Sequence, residues 1–144
     1  WIKRNHSGVI KMSYVSLGSA LTTILESISD INAVYNHEPK ELKDYPAVTV
    51  TALRHQDTFS DTAANKRVFT FNIRVYFRTD VEQDAESVIR GIVDQIISAI
   101  ESNVTLSGAC DFARPTEAVW DYQERELPVR VAVLSVECVK RINR

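Results

Sequence analysis

Phe69-Thr70-Phe71-Asn72-Ile73-Arg74-Val75-Tyr76-Phe77 is the stretch on which the fold turns. Phe69, Phe71, Ile73, Val75 and Phe77 alternate with Thr70, Asn72, Arg74 and Tyr76 without a break. A period of two puts the first set on one face of a strand and the second on the other. Upstream, Ala47-Val48-Thr49-Val50-Thr51-Ala52-Leu53 follows Tyr45-Pro46. Proline suits the start of a strand because it has no N–H to give to the ladder. Between the two runs lie His55 to Lys66, rich in Asp, Ser, Thr and Asn and longer than a tight hairpin turn. The reading is a long-armed β-hairpin from Tyr45 to Phe77 with a polar loop at its tip. Long loops in compact domains are often functional, so the tip is the first place to look for function.

Outward from the hairpin, two helices and three further strands follow from periodicity. Leu17, Leu21, Ile24, Leu25 and Ile28 recur at helical spacing and predict a helix from about Ser13 to Ser29. Ala33 to His37 is a short β-like run, and Glu38 to Asp44 is a charged connection. Thr79-Asp80, with Glu82 and Gln83 three residues on from each, has capping-box character. Ala85, Val88, Ile89, Ile92, Val93, Ile96, Ile97 and Ile100 then predict a second amphipathic helix reaching about Asn103, with Gly91 inside it for close packing. So many β-branched residues give modest intrinsic propensity, and packing must hold this helix. Leu106-Ser107-Gly108 ends the element. Ala118 to Gln123 and Val129 to Ile142 read as the last strands. The final one is apolar on both faces near its middle, as an interior strand or a covered edge would be. The order is α-β-β-β-α-β-β: an α+β fold, with an antiparallel or mixed sheet and both helices on one face.

Composition narrows the function classes. The 144 residues fit one domain, and a formal net charge of −2 argues against an electrostatically driven nucleic-acid binder. No apolar run approaches the roughly 20 residues that span a bilayer, and no partnership with a membrane is expected. Nor does a basic segment with an apolar run behind it mark a secretory signal. Cys138 alternates with Leu134 and Val136, so a buried free thiol is the plain reading, with a bridge to Cys110 as the alternative. The chain begins at Trp1, and its only methionine is Met12, just before the first helix. Gly8-Val9 is compatible with a purine-rich GGA-GTG, as in a ribosome-binding sequence upstream of a start at Met12. Residues 1–11 are therefore read as an upstream leader and 12–144 as one domain, against a genuine basic arm or a trimmed terminus. Without Lys3, Arg4 and Lys11 the net charge moves from −2 to −5. Intact mass of the native protein decides between these.

Chemical signatures are sparse. The glycines are Gly8, Gly18, Gly91 and Gly108, which cannot build a phosphate-cradling loop or a dinucleotide fingerprint. No Gly-x-Ser-x-Gly occurs, and neither cysteine has a sequence partner typical of a nucleophile. His37 with Glu38 and Glu41, or His55 with Asp57 and Asp61, lack recognised metal spacings and read as solvated loop residues. Asp80, Glu82, Asp84 and Glu86 suit the positive end of a helix, or alternatively a negative surface that meets a basic partner. No catalytic residue, cofactor or metal is assigned, and the chain is not expected to be an enzyme. Trp120 and Tyr122 are core or interface aromatics. Phe59, bulky and apolar in a polar segment, is a local anchor or a protein contact.

Element order and texture from Met12 onward resemble the tail terminator (tail completion) proteins of long-tailed bacteriophages. The features that carry this are the helix before Val34-Tyr35, the Tyr45-Pro46-Ala47-Val48 strand start, the polar Asp57 to Asn65 segment and the Phe69 to Phe77 strand. The acidic start of the second helix, Asp94 and the Leu106-Ser107-Gly108 exit belong to the same pattern. The resemblance implies a structural virion protein at the tail–neck junction, assembled in the bacterial host cytoplasm. It implies a hexameric ring that caps the tail tube, stops its polymerisation and joins a head-completion or connector protein, while DNA passes through without specific binding. On this reading Gln56, Asp57, Phe59, Asp61 and Asn65 touch a neighbouring ring or line the channel, and Trp120, Tyr122 and Arg125 make an intersubunit contact. The alternatives are a head-side stopper or adaptor, a small metal-dependent hydrolase, and a ligand-binding regulatory domain.

Overall fold

A computed structural model describes residues 13–61, 64–78, 85–124 and 128–143. The expected leader over 1–11 and the capping box around 79–84 lie outside these residues. In chain order the elements are α1 (Tyr14–Glu26), β1 (Ala33–Tyr35), β2 (Ala47–Asp61), β3 (Ala64–Arg78), α2 (Ala85–Glu101), β4 (Phe112–Glu124) and β5 (Pro128–Asn143). The five strands form one mixed sheet in the order β1-β2-β3-β5-β4. β1 runs parallel to β2, and every other neighbouring pair is antiparallel. The α+β class, the element order and the interior place of the last strand are as the sequence predicts.

α1 starts where Ser13 caps it: Ser16 N donates to Ser13 Oγ at 3.1 Å and Ser13 N donates to Ser16 Oγ at 3.0 Å. Two otherwise unpaired helix-end donors are satisfied this way. The apolar stripe then does what its spacing requires, with Leu17, Leu21 and Leu25 fully buried. α2 buries Ala85, Ile89, Ile92, Val93, Ile96 and Ile100. Both stripes meet the face of the sheet that carries Phe69, Phe71, Ile73, Val75 and Phe77 from β3, with Ala132, Leu134, Val136 and Cys138 from β5. Leu106, Ser107 and Gly108 follow in left-handed conformation, with φ of 48°, 59° and 90°. The turn they make buries Leu106 and redirects the chain into β4.

Gly91 departs from expectation. A Cβ built there meets nothing within 4 Å, so the glycine does not serve close packing. It sits beside an open cleft lined by Asp30, Phe77 and Gln95 among others. Gly91→Ala should therefore raise stability by about 0.5–1 kcal/mol, through helix propensity and a less free unfolded chain. Thermal melting checks this; a lower Tm would contradict it.

On the opposite face of the sheet a second, smaller cluster covers one end. There Leu42, from the connection after β1, packs on Ala47, Tyr76, Val129 and Val131. Tyr76 Oη donates to Glu38 Oε2 at 2.8 Å, and the buried Thr49 hydroxyl reaches Glu38 Oε1 at 3.4 Å. Burial, and then the bond to Glu38, pushes the Tyr76 phenol up to about 12. An unfolded tyrosine ionises near pH ~10, so the fold's preference for the neutral phenol is intact below that and is lost as pH rises through about 12. The wild type should lose about 2 kcal/mol more than Tyr76→Phe between pH ~9 and ~12 in denaturant titrations. Parallel pH profiles for the two proteins would contradict this account.

Candidate functional site

The polar segment expected to be a loop is strand. β2 continues to Asp61 and β3 begins at Ala64, with Asp57 opposite Arg67, Thr58 opposite Lys66 and Phe59 opposite Asn65. Only two residues separate the strands. Arg67 makes a two-bond fork with Asp57, Nε to Oδ1 at 2.6 Å and Nη2 to Oδ2 at 2.9 Å. Those bonds hold the exposed Asp57 carboxyl below its ordinary range. A third strand supports the pair, because β5 runs on beside β3 as far as Ala64 opposite Asn143. β4 begins only opposite Val139, where Asp111 closes the flank by accepting from Arg141 N at 2.8 Å. The result is a three-stranded arm rather than a floppy tip.

The arm is anchored at its base by a contact the sequence does not announce. Tyr14, the first residue of α1, shares a 2.8 Å hydrogen bond with His55 Nδ1. Its ring lies 4.6 Å from that of Phe69, and His55 stacks on Phe69 at 5.5 Å. Beyond this aromatic clasp, Asp57 to Asp61 carry β2 about 15 Å further at the usual rise per strand residue. An irregularity between Ala52 and Arg54 lets Leu53 bulge from β2, half exposed, as β-bulges commonly do at sheet edges.

The residues singled out from sequence fall in two places. Gln56, Asp57, Phe59, Asp61 and Asn65 all lie on the arm. The side chains of Phe59 and Asp61 are outside the described set. Trp120 and Tyr122 lie on β4, on the far edge of the sheet, so the two groups do not converge. Trp120 packs half-buried against the main core, and its buried Nε1 finds no acceptor among the described residues. The side chain of Tyr122 and all of Arg125 lie outside the described residues.

Among the described residues no group of three or more His, Cys, Asp or Glu is placed to hold a metal. No described helix is long and apolar enough to cross a membrane. Cys110 and Cys138 are free, buried and hydrogen-bonded to each other. That bond and burial push the Cys138 thiol up, so it keeps its proton. A protonated, buried thiol is a poor nucleophile; the same contact lowers the Cys110 thiol, which is also buried. The Gly91 cleft has Gln95 Nε2 on Asp30 Oδ2 at 2.8 Å but no nucleophile paired with a base.

No family profile matches the chain, and no curated protein matches it in sequence. Among solved structures, the fold is similar to a chain in the virion of a native gene transfer agent (GTA) particle. The TM-score is 0.60 at 17% identity, over 89% of this chain and 95% of that one. At that identity the likeness establishes a shared fold. The shared fold extends over nearly the whole of both chains.

Proposed function

We propose that this chain is a structural virion protein of a long-tailed bacteriophage, the terminator that forms a ring on the last tail-tube ring. On this reading it ends tube polymerisation and offers its other side to the head-completion or connector protein. The observation that carries the reading is the braced arm, which holds Asp57, Thr58, Lys66 and Arg67 beyond the Tyr14–His55–Phe69 clasp, where another ring can meet them. The fold shared with a virion chain and the element order supply the context. Gln56, Asp57, Phe59, Asp61 and Asn65 contact the neighbouring ring or the channel, and the β4 segment from Trp120 to Arg125 contacts the next subunit. Two different surfaces per subunit are what a closed ring needs. DNA crosses the ring without specific binding, and no cofactor takes part.

Removal of this chain from an infected cell is the test. Unjoined heads, with tubes of irregular and excessive length, are expected. Unjoined heads with tails of normal length would instead favour a head-side stopper or adaptor. Normal infectious particles would overturn both.

A further inference from the structure

Among the described residues both edges of the sheet are open over most of their length. β1 covers β2 only at Ala47, Val48 and Thr49, so among the described residues β2 from Val50 to Asp61 is paired on one side alone. At the other edge β4 pairs with β5 and with no other described strand. Unpaired edges are templates for strand addition by another chain, and natural monomers blunt them. Here the free part of β2 carries no proline and no lysine, and its bulge leaves Leu53 49% exposed. On β4, Pro115 and the irregularity before Glu117 blunt the start of the edge, and Val119, 51% exposed, lies on the regular part beyond them.

Strand direction suits a second copy as the occupant. β2, β3, β5 and β4 alternate in direction, so the first and last of the four are antiparallel. An even number of alternating strands means that a second copy, set beside the first in the same orientation, continues the ladder antiparallel. We propose that copies of this chain join by such strand addition, β4 of one copy pairing with the Val50–Asp61 edge of β2 in the next. The inference rests on the ring reading above and specifies its subunit contact.

Sterics and charge call for the same stagger. Val119 sits at the level of Thr49 through the Val133 and Arg74 pairs, so the second half of β4 lies level with β1. Docked without a shift, that half would collide with β1 of the next copy. A slide toward the arm avoids the clash. The same slide carries the exposed acids Glu117 and Asp121 from β4 toward Arg54 and, one strand further in, Lys66, which projects from the same face. Arg54, opposite Thr70, and Glu117, opposite Ser135, project from the same helix-free face. In a continuous sheet they meet on one side. A fixed stagger per copy is also what a sheet needs to close on itself, because closure tilts the strands.

Three variants test the contact: Arg54→Glu, the pair Glu117→Arg with Asp121→Arg, and all three substitutions together. Each is read by native mass spectrometry and negative-stain microscopy, alone and with purified tails, with circular dichroism confirming the fold. Both one-sided variants should need about tenfold more protein to form rings, as expected for reversing a close interfacial charge contact. The triple variant should recover. Rings at wild-type concentrations in both one-sided variants would overturn strand addition and leave the ring reading standing. Loss in both without recovery in the triple would also overturn it. A wild type that stays monomeric, alone and on tails, would overturn the ring reading and this contact together.

Discussion

Ile73→Ala is expected to destabilise the protein by about 3–4 kcal/mol, the range for truncating a buried isoleucine whose surroundings cannot collapse. Ile73 is fully buried at the centre of β3, with Val50 opposite it on β2 and Leu134 opposite it on β5. Those two neighbours are themselves about 1% exposed and are held by their own ladders, so neither can move to fill the void. The core above them is shared by α1 and α2, and a gap there loosens both helices at once. Thermal melting should fall by roughly 10 °C for a chain of this size. A loss under about 1 kcal/mol would mean that the sheet repacks freely and that the described core is wrong.

The second large effect concerns assembly rather than folding. Replacing residues 59–65 with Asn-Gly shortens the arm and closes it with a favoured two-residue turn between Thr58 and Lys66. The register of Asp57 on Arg67 is kept, and the Tyr14–His55–Phe69 clasp lies below the cut. Stability should change by less than about 1 kcal/mol, since only the end of the arm, beyond the Asp57–Arg67 pair, is removed. Head–tail joining should fall to the background of a strain lacking the chain, because Phe59, Asp61 and Asn65 go with the excised residues. Plaque counts complemented by the shortened protein, beside its melting curve, provide the check. Full complementation would take the arm out of the contact.

Much of the architecture is legible from periodicity, and the gaps have physical causes. The unbroken alternation from Phe69 to Phe77 is visible because one face of β3 is a core and the other is largely polar. Further along the same hairpin the alternation vanishes. Asp57, Thr58 and Lys66 are solvated, so nothing selects apolar residues and a strand reads as a loop. The remaining clue is chemical: Asp57 and Arg67 carry opposite charges and stand symmetrically about residue 62. β4 begins six residues before its expected start at Ala118. Pro115 and the irregularity between it and Glu117 break the pattern there. The Tyr14–His55 contact joins residues 41 apart and has no local signature at all. For the proposed contacts, sequence singled out one segment of the hairpin but assigned it the wrong conformation. The consequence is concrete, since a braced strand presents side chains at fixed positions and a loop does not.

Cryo-electron microscopy of intact particles made with this chain carrying a small C-terminal tag tests the central claim most directly. The account predicts tag density in one hexameric ring at the junction of tail tube and head connector, with the β2–β3 arm reaching a neighbouring ring. Tag density repeated along the tube, or none on the particle, would contradict it.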